Sequence, residues 1–354
     1  MRSESFEFLK SIEETPSVSG YEMPVARIVR KRMEKHADQI TTDLHGNVIC
    51  CLNPKGSPRV MLAGHMDQIG LMINHVNDEG FCYFRAVGGI DATVLPGSRV
   101  TVHSKKGAVE GVIGRKPVHL MKQEERGNAK IEMHDLWIDI GAKNKEEALD
   151  RVNIADVVTF KLGVTKIGDD IIASPGLDNK VGTFVVMEAL RLAGEGKLKC
   201  ALYAVATVQE EIGLRGARTS CYGIDPTVGI AVDVTHATDN PGADKKIAGD
   251  VKLRSGAVID LGPNINPVLG ELLIDTAKKK KIPHQIAAAP CATGTDANAM
   301  QVSRAGIAAG LVSIPNRYMH TQVELVCLDD LEACAQLIAE TCMRIDAKSD
   351  FTPM

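Results

Sequence analysis

Residues able to bind metal or move protons stand directly after several apolar segments of this 354-residue chain. The first such residues are His65 and Asp67, which follow the apolar run 60–63. Histidine is the commonest metal ligand in proteins, and a neighbouring carboxylate often fixes its tautomer. A single pair of this kind is more often an ordinary hydrogen-bonded pair at the end of a strand. The interpretation therefore depends on whether the pattern recurs.

A second apolar segment, 201–208, is followed by two adjacent carboxylates, Glu210 and Glu211. Mutual repulsion and the loss of solvent both disfavour two neighbouring charges of the same sign beside a buried strand. Such a pair persists most readily where a cation compensates it, so this motif points to a metal site more strongly than the first.

Three further residues occupy comparable places. Asp233 follows the apolar segment 228–232, and His320 lies shortly after the apolar segment 309–314. Asp178 stands just before a long helical pattern, at a helix N-terminus, where a carboxylate is favoured. In an open α/β sheet these ends share one crevice, and that crevice is where ligands bind. We therefore expect all these residues to form one site.

The residue types of this site indicate the ions that it would hold. Two histidines and several carboxylates without cysteine suit Zn, Co or Mn and not a structural zinc bound by thiolates. Five ligands, one of them bridging, match two metal ions ~3.5–4 Å apart. Asp67 and one of Glu210 or Glu211 then remain unassigned. Hydrolysis needs a general base, and the spare glutamate is the natural candidate, although spacing does not decide which glutamate it is.

Composition indicates an ordinary soluble globular protein, with 44% hydrophobic and 24% charged residues. The net charge of −4 gives no overall basic bias toward nucleic acid or anionic membranes. No apolar stretch approaches the ~20 residues needed to span a bilayer. The nine cysteines include no Cys-x-x-Cys motif, and the first residues do not resemble a signal peptide. We therefore expect a cytoplasmic protein with free thiols and with neither nucleic acid nor membrane as a partner.

The pattern of apolar residues divides the chain into two domains. Residues 1–70 and 163–354 show the alternation typical of an α/β domain, with predicted helices near 6–14, 22–36, 181–192 and 328–345. Residues 71–162 contain short alternating runs separated by turn residues, which predicts an inserted small β domain, barrel-like or sandwich-like. The charge-rich segment 121–133 predicts a mobile loop, and Asp296 is expected either to cap the helix that follows it or to shape the pocket.

The motifs around these residues resemble the M42 family of co-catalytic metallo-aminopeptidases over nearly the whole length of the chain. The resemblance rests on segments 64–70 (GHMDQIG), 177–182 (LDNKVG), 208–217 (VQEEIGLRGA), 232–234 (VDV), 294–297 (GTDA) and 313–320 (SIPNRYMH). It implies a mixed-sheet α/β di-metal peptidase domain with an inserted small β-barrel-like domain, which carries a subunit interface or covers the pocket.

The resemblance also implies a role for each residue of the predicted site. Five are metal ligands for two divalent ions, Zn or Co with Mn as a further candidate: His65 and Asp233 for one ion, Glu211 and His320 for the other, and Asp178 as the bridge. Glu210 would be the general base, and Asp67 would orient His65.

The expected activity is removal of N-terminal residues from short peptides by a homo-oligomer, a dimer at least and a dodecamer by family resemblance. Three alternatives remain open: an N-acyl amino-acid deacylase with the same metal site, a glycosidase, and an inactive assembly or binding protein. A glycosidase needs two carboxylates that flank a sugar and has no use for two histidines and five ligands. A complete ligand set argues against an inactive protein.

Overall fold

The computed structural model describes residues 1–121 and 130–354, and the larger part of it is built on one mixed sheet. Numbered along the chain and given in sheet order, its eight strands are β1 (Gln39–Thr42), β2 (Val48–Leu52), β12 (Ala201–Thr207), β3 (Arg59–His65), β13 (Val228–His236), β16 (Ala308–Asn316), β14 (Ala257–Leu261) and β15 (His284–Ala288). The four central strands, β12, β3, β13 and β16, are mutually parallel. Their carboxyl ends therefore meet at one edge of the sheet.

Helices cover both faces of this sheet. The helices of the described residues are α1 (Ser3–Glu13), α2 (Met23–Met33), α3 (Lys145–Arg151), α4 (Leu177–Gly194), α5 (Arg215–Ile224), α6 (Lys245–Ala248), α7 (Pro267–Lys280), α8 (Asp296–Gln301) and α9 (Leu328–Arg344). On β3, Val60 and Leu62 belong to the core beneath α1, α2, α4 and α9, whereas Met61 and Ala63 belong to the core beneath α5 and α8. Successive side chains of a strand point to opposite faces, so a strand covered on both faces is apolar throughout.

The end of β3 lies in backbone contact with α4. A Cβ atom added to Gly64 would lie only 2.4 Å from the carbonyl carbon of Gly182. Thr183 Oγ1 also donates a hydrogen bond to the carbonyl oxygen of Gly64 at 3.0 Å. This close packing brings His65 at the end of the strand next to Asp178 at the beginning of the helix.

Six antiparallel strands form a closed barrel between β3 and α4. In barrel order they are β4 (Gly70–Val76), β5 (Cys82–Val87), β8 (Trp137–Asp139), β7 (Gly107–Gly114), β6 (Arg99–Ser104) and β9 (Val157–Phe160). Leu71, Ile73, Val100, Val102 and Val158 are buried in a core of the barrel's own. The expected fold class, an α/β domain with an inserted small β barrel, is confirmed. The exact division of the chain at residues 71 and 162 stays a prediction.

A small three-stranded sheet lies beside the large one. It consists of β10 (Thr165–Ile167), β11 (Ile171–Ser174) and β17 (Glu324–Cys327), all antiparallel. β11 leads into α4, and β17 leads into the long closing helix α9. This sheet therefore joins the segment before Asp178 to the segment after His320.

Most predicted elements lie where the apolar pattern placed them, but Asp233 does not follow a strand as expected. It lies inside β13, which continues to His236 because β16 pairs with it up to that residue. The pairing of β13 with β3 ends earlier, at Ala231. The predicted loop 121–133 falls largely outside the described residues. Among the described residues, no helix has the length and apolarity required to cross a membrane.

Candidate metal centre

The seven residues singled out from the sequence meet at the carboxyl edge of the central strands. His65 is the last residue of β3, Asp178 is at the start of α4, and Asp233 lies in β13. The remaining residues lie in the loops that follow strands: Asp67, Glu210, Glu211 and His320. A cavity of about 520 Å³ is lined by all of these residues except Asp67, and also by Gly89, Gly213, Leu214, Val234, Thr293, Gly294, Thr295 and Met319.

One group of three possible ligands consists of His65, Asp178 and Asp233. The Nε2 atom of His65 lies 3.3 Å from Oδ1 of Asp178 and 3.8 Å from Oδ1 of Asp233. All three side chains are buried, and their ligand atoms lie within 4.8 Å of one another. Glu210 lies against the same group, with its Oε2 atom 3.7 Å from Nε2 of His65.

A second group consists of Asp178, Glu211 and His320. The Nε2 atom of His320 lies 3.2 Å from Oδ2 of Asp178 and 3.5 Å from Oε2 of Glu211. These three ligand atoms also lie within 4.8 Å of one another. Asp178 belongs to both groups, and it presents a different carboxylate oxygen to each histidine.

Backbone carbonyl groups fix both histidines in the same tautomer. Nδ1 of His65 lies 3.0 Å from the carbonyl oxygen of Asp67, and Nδ1 of His320 lies 2.6 Å from the carbonyl oxygen of Gly89. A carbonyl oxygen only accepts, so each Nδ1 carries a proton, and each Nε2 faces the carboxylates and becomes the nitrogen that can bind an ion once its own proton has left. This is the arrangement in which metal-binding histidines are usually held. Gly89 follows β5, so the barrel contributes directly to the site.

The carboxylate of Asp67 holds the two adjacent glutamates. Its Oδ1 atom accepts the backbone N–H of Glu210 at 3.0 Å, and its Oδ2 atom accepts that of Glu211 at 3.2 Å. Ser19 Oγ donates to Oδ2 at 2.6 Å. The same carboxylate is 3.5 Å from Nδ1 of His65, farther than the backbone carbonyl. Asp67 thus contacts both His65 and the two glutamates.

The loop that carries Glu210 is held at two further points. The backbone N–H of Val208 donates to Oδ1 of Asn47 at 3.1 Å, and that of Gln209 donates to Oε1 of Glu22 at 3.2 Å. Gln209 has a φ of 55°, in the left-handed region that residues other than glycine rarely adopt. The hydrogen bonds to Asn47 and Glu22 hold this conformation immediately before the proposed base.

Burial and crowding perturb the titration of the site. Burial raises the pKa of Glu210 and of Glu211, and neighbouring carboxylates raise both further. Burial alone would raise the pKa of Asp178, but hydrogen bonds with His320 and His65 outweigh burial and hold its pKa below the usual range. The hydrogen bond to Asp178 raises the pKa of His320 to about 9. Without cations, Glu210, Glu211 and His320 therefore retain protons, which reduces the repulsion among the carboxylates, while Asp178 stays ionised.

The donor set fits divalent metal ions. Two neutral imidazole nitrogens and the oxygens of buried carboxylates are the ligands that Zn and related ions take in catalytic sites. The buried Oε1 atom of Glu211 has no hydrogen-bond partner among residues 1–121 and 130–354. A carboxylate oxygen that is buried without a donor is costly unless a cation compensates it. Bound ions would satisfy that oxygen and replace the retained protons.

Asp296 does not cap its helix. Thr295 is the capping residue, and its Oγ1 atom accepts the N–H of Ala297 at 3.3 Å. Asp296 is the first residue of α8 and is buried near the site, where it accepts a hydrogen bond from Thr207 Oγ1 at 2.6 Å. Its other carboxylate oxygen has no hydrogen-bond partner in the part of the chain that the structure describes.

The sequence did not reveal several residues that support the site. They share one feature, a polar side chain or carbonyl group that bonds to a predicted site residue or to the two residues just before Glu210: Ser19, Glu22, Asn47, Gly89 and Glu324. None belongs to a motif with metal-ligand spacing, and each lies far along the chain from a residue to which it bonds; Glu324 also bonds to the nearby His320. Only the fold brings them together.

Comparison with known proteins agrees with this geometry. The family model of the M42 glutamyl aminopeptidases matches residues 46–337. The lysyl aminopeptidase of Pyrococcus furiosus is 40% identical, over 98% of this chain and 99% of that protein.

Two solved structures have the same fold. The TET aminopeptidase from the marine sediment archaeon Thaumarchaeota archaeon SCGC AB-539-E09 is 34% identical with a TM-score of 0.93, over 98% of this chain and 97% of that one. The Pyrococcus horikoshii TET1 peptidase, which can assemble into a tetrahedron or a large octahedral shell, is 34% identical with a TM-score of 0.85, over 96% and 100% of the two chains. The resemblance drawn from the motifs is thereby confirmed: this chain belongs to the M42 family and is a metallo-aminopeptidase, a hydrolase of peptide bonds.

Proposed function

We propose that this aminopeptidase holds two divalent metal ions and removes the N-terminal residue from short peptides. The observation that carries the proposal is the position of Asp178, whose two carboxylate oxygens face two different histidines. Each histidine has a further carboxylate beside it, which completes a group of three ligands around a shared bridge. Zn or Co suits these nitrogen and oxygen ligands, and Mn is a further candidate.

The two ions have separate ligands apart from the bridge. His65 and Asp233 would hold the first ion, and Glu211 and His320 would hold the second, with Asp178 shared between them. Two ions bound there would polarise the scissile carbonyl group and lower the pKa of the attacking water. The protein's own contribution is to fix the ligands: carbonyl groups orient both imidazole rings, and Asp67 holds the backbone of Glu211.

Glu210 is the general base in this proposal. Its carboxylate lies beside the first group of ligands, and its backbone N–H is bound to Asp67. A carboxylate in this place takes a proton from the attacking water onto Oε and returns it to the leaving amine. Glu211 differs from Glu210 because its carboxylate lies beside His320 in the second group.

The substrate is a peptide with a free N-terminus, small enough at its reacting end to enter a cavity of about 520 Å³. A positively charged α-amino group suits a site rich in carboxylates. By analogy with the Pyrococcus horikoshii TET1 peptidase, which can assemble into a tetrahedron or a large octahedral shell and has been solved as a dodecamer, we infer a homo-oligomer, at least a dimer and most simply a dodecamer. Such an enclosure would admit unfolded peptides and exclude folded proteins. We also propose that the protein is cytoplasmic.

A panel of aminoacyl chromogenic substrates, assayed with added Co or Zn, tests this function. Each substrate is compared with its N-acetylated form, which has the same side chain and leaving group but lacks the free amine. We expect cleavage of the free forms and little of the acetylated forms. Release of acetate from acetylated amino acids without cleavage of the free forms would instead identify a deacylase.

A further inference from the structure

We propose that Glu324 is a positioning residue that fixes two of the metal ligands, Asp178 and His320, through their backbone N–H groups. This inference rests on the two-metal site proposed above. The Oε2 atom of Glu324 accepts the N–H of Asp178 at 2.8 Å, and its Oε1 atom accepts the N–H of His320 at 2.9 Å. The residue is 1% exposed. Each oxygen thus accepts one backbone N–H, and among the described residues Glu324 belongs to neither group of possible metal ligands, so it supports the ligands from outside.

The small sheet places Glu324 between the two ligand segments. Glu324 is the first residue of β17, and it pairs with Ser174, the last residue of β11. Asp178 follows Ser174 after a short turn, and His320 shortly precedes Glu324 along the chain. The antiparallel pairing of β17 with β11 therefore places the backbone N–H of Asp178 beside Oε2 of Glu324 and that of His320 beside Oε1.

The segment that carries His320 needs such a constraint. It is a loop closed at its base by two backbone hydrogen bonds between Arg317 and Leu325, both 3.0 Å long. Inside the loop, Tyr318 and His320 have φ values of 63° and 60°. Residues other than glycine persist in this left-handed region only where the surroundings enforce it. The hydrogen bond from the N–H of His320 to Glu324 holds the loop from within.

The same arrangement, one buried carboxylate that accepts two backbone N–H groups, occurs twice in this site. Asp67 accepts the N–H groups of Glu210 and Glu211, and Glu324 accepts those of Asp178 and His320. Backbone groups held in this way fix where each ligand side chain begins. Loss of an outer partner typically weakens metal binding or activity ~10–100-fold. We therefore infer that Glu324 strengthens the binding of the ion held by Asp178, Glu211 and His320, because it fixes the backbone of two of these three ligands.

The test compares metal binding by three purified variants with the wild type. Glu324→Gln keeps size but replaces one acceptor oxygen with an NH₂ group that faces an N–H donor. Glu324→Asp keeps the charge but is one methylene too short to reach both N–H groups. Asp330→Asn is the matched control, because Asp330 is a buried carboxylate that accepts the N–H groups of Arg254 at 2.8 Å and Gly256 at 2.7 Å, away from the metal ligands.

Metal-free protein is titrated with Zn against a chromophoric chelator, and circular dichroism checks the fold of each variant. We expect Glu324→Gln and Glu324→Asp to bind the ion whose ligands Asp178 and His320 are both fixed by Glu324 ~10–100-fold more weakly. The other ion shares only Asp178 with it and should show a clearly smaller loss. Asp330→Asn should bind both ions as the wild type does. If Glu324→Gln does not fold, Glu324→Asp carries the test.

Three results would overturn the inference. The first is wild-type affinity for both ions in a folded Glu324 variant, and the second is an equal loss of both ions. The third is an equal loss in Asp330→Asn, which would show a general effect of removing a buried carboxylate. A wild-type protein that binds no metal ions would instead refute the proposed function, and the inference would fall with it.

Discussion

The Oδ1 atom of Asp67 accepts a hydrogen bond from the backbone N–H of Glu210 at 3.0 Å. This bond joins the loop after β3, which carries the first predicted motif, to the loop after β12, which carries the second. Asp67 is fully buried, so its carboxylate is shielded from solvent and depends on the donors around it. The proposed base, Glu210, is therefore positioned by Asp67, which lies in the loop after the neighbouring strand β3.

Replacement of Asp67 with Asn should damage catalysis by displacing the two glutamates. An amide has a single acceptor oxygen, and its NH₂ group would face the N–H of Glu210 or of Glu211. We expect kcat to fall ~10–100-fold, as for other residues that orient a metal site. Steady-state kinetics of Asp67→Asn beside the control Asp330→Asn measures this, and wild-type kcat in Asp67→Asn would show that the two bonds are unimportant.

The adjacent glutamates should respond differently to the same substitution. Glu210→Gln keeps shape but cannot accept a proton, so kcat should fall by ~10²–10⁴ while the metal content stays near that of the wild type. Glu211→Gln should instead weaken the binding of one ion. Kinetics together with elemental analysis of both variants distinguishes the two roles, and the reverse pattern would exchange them.

Asp260 should make the stability of the metal-free protein depend on pH. Burial raises its pKa to about 6 from an ordinary value of 3.8, and Ser313 Oγ donates to it at 2.6 Å. The pKa in the folded state lies above that in the unfolded chain. The resulting stabilisation is complete below the unfolded value and is lost as the pH rises through the folded value.

The loss amounts to about 3 kcal/mol at most between about pH 4 and about pH 7. Asp260→Asn keeps an acceptor for Ser313 and does not titrate. The free energy of unfolding of the wild type, measured relative to Asp260→Asn in the presence of chelator, should therefore fall over this range. Parallel curves for the two proteins would show that Asp260 is ionised normally in the fold.

The sequence predicted the strands that position the site because those strands are apolar on both faces. β3 and β12 appear as short apolar runs, and the polar residues that end them stand out. The apolar pattern could not show how far β13 continues, because the pairing with β16 that extends it is a tertiary contact. Asp233 was consequently expected after a strand that in fact includes it.

The hydrogen-bonding partners of the site could not be predicted from the sequence. Glu324 is an isolated carboxylate before the apolar residues 325–327, and only the pairing of β17 with β11 shows what it holds. Gly89 supplies a carbonyl group, which no side-chain motif encodes. Thr295, and not Asp296, caps α8, a choice between neighbouring residues that depends on the local backbone.

Assembly can be measured independently of catalysis. We expect light scattering to give the mass of a homo-oligomer, at least a dimer and by analogy a dodecamer. The assembled protein should hydrolyse short peptides and leave folded proteins intact. A stable monomer with full activity would contradict the assembly proposal while leaving the metal site and the reaction unaffected.

The most direct test of the two-metal site is the metal content of active protein. Elemental analysis of the purified enzyme should approach two transition-metal ions per chain. Dialysis against EDTA should remove both ions and abolish cleavage of an aminoacyl chromogenic substrate, and added Co or Zn should restore it. Protein that contains no transition metal and is nonetheless fully active would contradict the account.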